Sequence, residues 1–370
     1  MTRRGFLQAA GAGPITLPEF QPRSMLHVAR HPVMRAKFPA IDVHTHVFGL
    51  GGKLTPESAG KQAQLKQIAR WMEECNLGTL INLTGGNSET IPGIRKAIAA
   101  FGDKFITAAE PVWTRASEPG YDKWQADELA KCKQQGAVGL KVLKYLGLGL
   151  RQNGKLVKID DPRFDPMWEA AGALELPVLI HTGDPGAFFV TTDRFNERYE
   201  ELQNHPEWSF YDRDFPKRAE LHEARLRVIA RHPKTRFIAL HVGNDAEDLG
   251  QVGEWLDRHK NLNVEIGARL GELGRQPRTA RKFFERYQDR ILFGTDAVPD
   301  GKQYPQQDLE PNMFRCYFRF LETDDEYFDY SPAPVPPQGR WKIYGVALPD
   351  AILKKVYHNN AAREFKLKAI

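Results

Sequence analysis

Short apolar runs of strand type alternate with longer segments of helical spacing from about residue 39 onward. Continuous apolar strands that are separated by helices predict a parallel sheet covered by helices. The predicted strands are Ala40–His44, Gly78–Leu83, Phe105–Ala109, Val138–Val142, Val178–His181, Phe237–His241, Leu262–Ile266 and Ile291–Gly294. Helical spacing is clearest in Ser58–Cys75, Tyr121–Gln135, Lys217–Arg231 and Thr279–Tyr287. Eight such units close a (β/α)₈ TIM barrel, so we predict this α/β fold. The alternative, an open doubly wound sheet, lacks its usual glycine-rich phosphate loop here.

The predicted barrel covers residues 39–370 and carries two unusually long connections. Residues 183–216 follow the fifth strand and residues 297–345 follow the eighth, and both are too long for ordinary strand–helix loops. Both would leave the barrel at the carboxyl ends of its strands, where barrel enzymes keep their active sites. We therefore expect the first insertion to form a lid or pocket wall. For the second, a lid and an oligomer contact are equal alternatives.

Residues 1–38 form a predicted N-terminal arm. The segment Thr2–Gln8 is similar to a twin-arginine export signal, and a disordered basic tail is the alternative interpretation. The corresponding prediction for location is the cytoplasm, or the periplasm if the signal is functional. The arm holds six basic residues and one acidic residue, which accounts for the whole formal charge of +5.

Composition excludes several classes of function. A barrel with no net charge of its own is a poor nucleic-acid binder, because affinity for the backbone needs clustered positive charge. The sequence has no run of about 18 apolar residues, so no membrane-spanning helix is predicted. Three widely separated cysteines give neither a disulfide framework nor zinc-finger spacing. We expect a protein that binds a small molecule, with a homodimer as the default assembly.

Two histidines at the end of the first strand are the sharpest chemical signal. His44 and His46 are two residues apart in Asp42-Val43-His44-Thr45-His46. Residues i and i+2 of a strand point to the same face, so both imidazoles would project at the barrel mouth. Two adjacent imidazoles are half of a typical metal site. We interpret them as a pair of metal ligands.

Three other predicted strands end in residues of the same chemical kind. His181 is the last residue of the fifth predicted strand, His241 is the last residue of the sixth, and Asp296 comes just after the eighth. Any one of them could simply cap its strand. A closed barrel, however, brings the strand ends into one ring, so imidazole and carboxylate groups from all of them can converge on a small volume.

This set of motifs resembles the amidohydrolase superfamily. The closer resemblance is to the amidohydrolase-related group, which includes aminocarboxymuconate semialdehyde decarboxylase. It spans roughly residues 39–368 and includes the weaker motif Val356–Ala362 near the C-terminus. The resemblance implies that His44, His46, His181 and Asp296 bind one divalent ion, usually zinc. It also implies that His241 lies beside the ion and handles water or substrate.

The chemistry of these residue types agrees with that implication. A zinc ion with three histidines keeps a position for water and lowers its pKa from 15.7 to about 7. Asp296 could then accept the proton of that water. His241, as a neutral donor or as imidazolium, could stabilise the oxyanion that forms on attack at a carbonyl. We expect Asp42 to support the site from one layer below. Manganese and iron are alternatives to zinc.

Two cationic residues are candidates for substrate binding. Lys141 ends the fourth strand and Arg269 follows the seventh. Lys141 could instead bridge a second metal or pair with Glu110 or Glu265. Lys144 is a further candidate for an anionic substrate. Arg269 could bind a substrate carboxylate through two parallel hydrogen bonds, or pair with Glu272.

The predicted function is a metal-dependent hydrolase of a small ester, lactone or amide. The alternative is a metal-dependent decarboxylase of an unsaturated or aromatic acid, because both reactions would use the same ligands. A non-catalytic barrel is a third hypothesis, which the presence of all five site residues disfavours.

Overall fold

Parallel strands and helices alternate through the computed structural model, which describes residues 22–49, 55–211, 214–299, 306–333 and 335–368. The barrel strands within these ranges are β1 (Ala40–Thr45), β2 (Leu77–Asn82), β3 (Phe105–Thr107), β4 (Leu140–Val142), β5 (Val178–Ile180), β6 (Phe237–Ala239), β7 (Leu262–Glu265) and β8 (Ile291–Leu292). A separate antiparallel hairpin pairs Arg151–Gln152 with Lys155–Leu156. Every observed barrel strand overlaps a predicted one. Seven begin within one residue of the predicted start, and β4 begins two residues later.

The eight strands close into a barrel. One ladder runs β1-β2-β3, and the other runs from β8 through β7, β6 and β5 to β4. Ala109 pairs with Leu140 to join β3 to β4, and Thr45 pairs with Ala297 to join β1 to the segment after β8. Closure at both joins confirms the predicted (β/α)₈ barrel and excludes the open doubly wound sheet.

Helices connect the strands and bury one apolar face each. The helix α1 (Ala59–Cys75) is representative, because it buries Leu65, Ile68 and Met72 at helical spacing and Ser58 caps its first turn. The other helices are α2 (Ile91–Ile98), α3 (Tyr121–Gln134), α4 (Tyr145–Leu148), α5 (Asp165–Ala173), α6 (Tyr199–Asn204), α7 (Arg218–Arg231), α8 (Leu249–Arg258), α9 (Leu270–Arg275), α10 (Pro277–Arg286), α11 (Pro311–Glu322), α12 (Asp350–Lys354) and α13 (Asn360–Phe365). A turn of π-helix, Lys355–Asn359, joins α12 to α13.

The barrel interior contains an apolar core that α13 completes. Leu179, Ile238 and Leu292 lie in this core, and Phe365 of α13 packs into the same cluster. Asn360 donates hydrogen bonds from Nδ2 to the carbonyls of Gln288 (2.8 Å) and Ile291 (2.7 Å). The C-terminal motif that was weak in sequence therefore attaches the last helix to the start of β8.

The described part of the N-terminal arm is attached to the second insertion. The His31 amide donates to Asp325 Oδ2 (2.8 Å), and the Lys37 amide donates to Glu322 Oε1 (3.0 Å) at the end of α11. The export-signal prediction for Thr2–Gln8 lies outside the described residues. Among the described residues, no helix is long and apolar enough to cross a membrane.

Truncating the barrel core should destabilise the protein strongly. Leu179 is fully buried, so Leu179→Ala should lower the free energy of unfolding by about 2–5 kcal/mol, measured by urea denaturation. The matched control is Leu26→Ala, because Leu26 is 56% exposed on the arm. The control should change stability by less than about 0.5 kcal/mol. Equal losses in the two variants would contradict the assignment of Leu179 to the core.

Candidate metal centre

The join between β1 and β8 brings the two predicted histidine ligands to Asp296. The Asp296 amide donates to the carbonyl of His44 (2.7 Å), which fixes Asp296 beside the end of β1. Asp296 has φ +64°, a left-handed conformation that turns the chain after β8. The rings of His44 and His46 are both buried, with centroids 5.4 Å apart.

Three potential metal-binding atoms converge at this join. Asp296 Oδ1 lies 2.9 Å from His44 Nε2 and 3.0 Å from His46 Nε2. The three atoms lie within 4.8 Å of one another, as one ion would require. The donor set of two imidazoles and one carboxylate suits a divalent cation of the first transition series.

The opposite ring nitrogens each have a hydrogen-bond partner, as in known metal-binding histidines. His44 Nδ1 lies 3.0 Å from Glu265 Oε1, and His46 Nδ1 lies 2.7 Å from Thr84 Oγ1. Because an ionised carboxylate only accepts, the proton of a neutral His44 sits on Nδ1 and the Nε2 lone pair faces Asp296. The residues present therefore fit a bound cation.

The pKa values describe the same centre without a cation. Burial lowers the pKa of His46 to about 4. Burial and Lys141 also act to lower the pKa of His44, but Asp296 and Glu265 outweigh them and raise it. A proton on His44 can thus take the place of a cation between this ring and Asp296. Although burial opposes it, the neighbouring histidines hold the pKa of Asp296 well below its usual range.

Glu265 organises the centre from the end of β7. Its Oε1 accepts from the His241 amide (2.6 Å) as well as from His44 Nδ1. Gly294 leaves room for it, because a Cβ atom there would lie 2.2 Å from Glu265 Oε2. From sequence, Glu265 is expected only as a possible partner of Lys141. A fully buried glutamate at the end of a barrel strand is the signal that could have shown this role.

Asp42 supports the centre as predicted, one layer below it. It accepts hydrogen bonds from the Thr295 amide (3.1 Å), the Thr295 hydroxyl (2.5 Å) and the His44 amide (3.0 Å). Burial raises the pKa of Asp42 to about 7 despite these bonds. The carboxyl group therefore ties β1 directly to the segment after β8.

His241 lies next to the centre and presents an acceptor to it. Its ring centroid is 4.9 Å from that of His44, and its Nδ1 lies 2.8 Å from the carbonyl of Gly267. Burial lowers the pKa of His241 well below its usual value, so the ring is neutral near pH 7. Because a carbonyl only accepts, the proton is on Nδ1 and the free lone pair is on Nε2, 4.0 Å from Asp296 Oδ2. In this neutral form the Nε2 atom carries no proton, so stabilising an oxyanion through Nε2 would require the imidazolium form.

His181 reaches the pocket but is not part of the three-residue cluster. Its ring centroid is 4.4 Å from that of His241. Its Nε2 lies 3.1 Å from the carbonyl of Gly183 and 3.6 Å from Asp184 Oδ1. His181, the fourth ligand predicted from sequence, therefore makes a hydrogen bond within its own loop and lies outside the cluster of potential metal-binding atoms.

Lys141 is a fully buried cation at the centre of the site. Its Nζ lies 3.1 Å from His44 Nε2. Burial lowers the pKa of Lys141 to about 8, although Asp296, Glu265 and Glu110 act in the opposite direction. Within the described ranges, no carboxylate oxygen lies within 4.0 Å of it, so the alternative of a direct ion pair with Glu110 or Glu265 is not observed.

Arg269 also lines the pocket without a carboxylate partner. It is 5% exposed and donates to the carbonyl of Ala268 (2.8 Å) and to Asn244 Oδ1. Glu272, which sequence offered as its partner, instead forms a buried ion pair with Arg198. The geometry therefore leaves Arg269 available to an anion in the pocket.

Both insertions form walls of the pocket above the centre. The cavity measures about 230 Å³. The first insertion contributes Pro185, Phe188, Arg198, Glu201 and Trp208, and the second contributes Gln306, Gln307 and Gln338. Gln307 donates to Asp296 Oδ2, so the second insertion directly contacts a predicted ligand. Sequence patterns gave no indication of these glutamines.

An ion pair lies at the aromatic side of the pocket. Lys144 Nζ lies 2.6 Å from Asp184 Oδ2 and 5.9 Å from the centre of the Trp208 ring. Burial would raise the pKa of Asp184, but Lys144 and His181 together lower it to about 2. Lys144 therefore has a carboxylate partner, unlike Lys141 and Arg269 among the described residues.

Acid should destabilise the metal-free protein through its buried neutral histidines. Burial, with Arg225 and Arg218 nearby, lowers the pKa of His222 to about 2. Below pH 6.5 the unfolded chain then binds more protons than the folded one, so stability is complete above pH 6.5 and is lost as pH falls. His222→Phe should make this loss less steep, by up to about 1.4 kcal/mol per pH unit between pH 6 and pH 4. Urea denaturation of both proteins across this range measures the two slopes, and identical slopes would contradict a neutral buried His222.

Comparison with known proteins identifies the family. The sequence model of the Amidohydrolase family matches residues 41–367. None of the curated proteins matches the chain in sequence.

Solved structures show the same fold at low sequence identity. A 2,6-dihydroxybenzoate decarboxylase from Rhizobium is 17% identical, with 89% of this chain and 99% of that chain covered and a TM-score of 0.54. A 4-oxalomesaconate hydratase from Rhodopseudomonas palustris is 15% identical, with 88% and 95% covered and a TM-score of 0.53. A TIM-barrel protein from Bordetella bronchiseptica is 14% identical, with 89% and 99% covered and a TM-score of 0.54. With the family model spanning almost the whole barrel, this chain belongs to the amidohydrolase family.

Proposed function

We propose that the protein is a metal-dependent hydrolase that acts on the carbonyl group of a small ester, lactone or amide. The observation that carries this proposal is the convergence of His44 Nε2, His46 Nε2 and Asp296 Oδ1 at the floor of a pocket. Membership of the amidohydrolase family supports it.

The residues that would hold the ion are His44, His46 and Asp296, with His181 as the fourth ligand. We propose zinc, with manganese and iron as alternatives, because imidazole and carboxylate ligands accept all three. When bound, such an ion polarises a carbonyl and lowers the pKa of a water molecule from 15.7 to about 7. Glu265 and Thr84 would hold the two histidine rings in the orientation that ligation needs.

Asp296 and His241 would move the proton. Asp296 remains ionised, so its Oδ2 atom can accept a hydrogen bond from water while Oδ1 faces the two histidines. His241 Nε2 lies 4.0 Å from Oδ2 with its lone pair free. A proton released in the pocket thus meets two acceptors, one of which can pass it to a leaving group.

Lys141 and Arg269 are the proposed substrate contacts. Each is a buried cation that lines the pocket, and neither has a carboxylate partner among the described residues. A buried charge without a partner is costly, and an anionic group on the substrate would offset that cost. Arg269 can bind a carboxylate with two parallel hydrogen bonds.

A metal-dependent decarboxylase is the second candidate, and the aromatic wall of the pocket favours it. Phe188 and Trp208 stack with centroids 6.2 Å apart and an interplanar angle of 21°. Such a wall suits a planar unsaturated or aromatic acid, whose carboxylate would lie near the two cations.

The purified protein should contain about one equivalent of a divalent metal by elemental analysis. His44→Ala, His46→Ala and Asp296→Ala should each lose most of it, and His181→Ala should retain a weakened site. The matched control is His259→Ala, which removes a histidine at the end of α8 and should leave the metal content unchanged. Two equivalents would point to a second ion at Lys141, and a metal-free wild type in metal-supplemented medium would contradict the proposal.

A paired assay separates the two reactions. The protein should hydrolyse members of an ester and lactone panel without releasing carbon dioxide from aromatic and unsaturated acids. Asp296→Asn should lower kcat by about 10²–10⁴, because it removes a proton acceptor. Release of carbon dioxide without hydrolysis would favour the decarboxylase. If the protein catalyses neither reaction and binds no metal, the barrel has a non-catalytic role.

A further inference from the structure

The turn after β6 adopts an unusual backbone conformation. His241, Val242, Gly243 and Asn244 have φ values of +59°, +54°, +68° and +55°. Successive left-handed residues are rare, and a β-branched residue such as Val242 strongly disfavours this region. Such a turn persists only when its surroundings hold it in place. This turn carries His241, so whatever holds it also positions the imidazole.

Two arginines of α7 hold the backbone of this turn. Arg225 donates to the carbonyl of Gly243 (2.7 Å), and Arg218 donates to the carbonyl of Asn244 (2.6 Å). The two arginines are seven residues apart, so they lie on one face of the helix. They restrain the turn from outside but do not touch the pocket side of it.

The Asn244 side chain restrains the same turn from inside. It is fully buried, and its Nδ2 donates to the carbonyls of Thr182 (3.1 Å) and Gly183 (3.0 Å) in the loop after β5. Its Oδ1 accepts from the guanidinium of Arg269 after β7. Carbonyls only accept and a guanidinium only donates, so these partners fix the orientation of the amide.

The partners of Asn244 are parts of the candidate site. Gly183 is the residue whose carbonyl also lies 3.1 Å from His181 Nε2, so Asn244 and His181 share one acceptor. Arg269 lines the pocket and has only the carbonyl of its neighbour Ala268 as a further hydrogen-bond partner among the described residues. One amide thus joins the loops after β5, β6 and β7.

We propose that Asn244 is a positioning residue, which fastens the loop of His181 to the turn of His241 and aims Arg269 along the pocket wall. The part of this proposal that concerns metal and substrate rests on the proposed function. The part that concerns the two imidazoles rests on the hydrogen bonds alone.

Two substitutions separate this role from a preference for the backbone conformation. Asn244→Gly keeps a residue that tolerates positive φ and removes the amide. Asn244→Asp keeps the shape, but an ionised carboxylate cannot donate to the carbonyls of Thr182 and Gly183. The matched control is Asn261→Asp. Asn261 Nδ2 also donates to three backbone carbonyls, those of Ile229, His232 and Thr235, but at the opposite end of the barrel.

The decisive readout is the ¹⁵N spectrum of the histidine rings in the metal-free, full-length protein. Both Asn244 variants should shift the ring resonances of His181 and His241, whereas Asn261→Asp should leave these resonances at their wild-type positions even if it lowers Tm. Unchanged ring resonances in Asn244→Gly would overturn the proposal, because the residue would then serve only the backbone. Equal shifts in the Asn261 variant would overturn it too.

Metal and substrate measurements test the remaining part. The Asn244 variants should bind the divalent ion about 10–100-fold more weakly, as happens when groups that orient ligands are lost. They should raise KM for anionic substrates more than they lower kcat, because Arg269 loses its orientation. If the wild-type protein binds no metal, the proposed function is contradicted. The ring spectra would still test the positioning role of Asn244. Wild-type metal affinity in both variants would overturn the link to the metal centre.

Discussion

The join between β1 and the end of β8 is the constraint on which the rest of the site depends. Three backbone hydrogen bonds cross it, from Val43 to Phe293 (3.1 Å), from Asp296 to His44 (2.7 Å) and from His46 to Ala297 (2.7 Å). Asp42 adds a buried carboxyl group that binds both sides. Because the barrel closes here, residues about 250 positions apart meet at hydrogen-bond distance. The candidate metal centre is therefore a direct product of barrel closure.

Two groups of charged residues surround this join, one of carboxylates and one of cations. Below the centre, Glu265 and Asp42 accept hydrogen bonds from backbone amides and from the His44 ring, so their positions are fixed from several directions. Lys141 and Arg269 line the pocket and are buried without carboxylate partners among the described residues. The carboxylates hold the candidate ligands in place. The two cations have no carboxylate to neutralise them among the described residues. This division agrees with the proposal that the substrate is an anion.

The sequence predicted the barrel and its strands well, because apolar runs and helical spacing reflect burial directly. It predicted less about the strand ends. His181 and His241 were placed in strands, whereas β5 and β6 end before them. The backbone turns left-handed at His241, just after β6, and a histidine does not predict that conformation. The roles of Glu265 and Gln307 depend on contacts across the barrel and from an insertion, which no local pattern encodes. The orientation of the His181 ring depends on the loop carbonyl of Gly183 in the same way.

The packing of α13 under the barrel has a consequence for how the chain is made. All eight strands have been synthesised by residue 292, but Phe365 contributes to the apolar cluster inside the barrel. A barrel that lacked α13 would therefore expose apolar surface at its base. Some seventy further residues must leave the ribosome before that surface is sealed. The barrel core is therefore complete only after the C-terminal helix has been made and has packed.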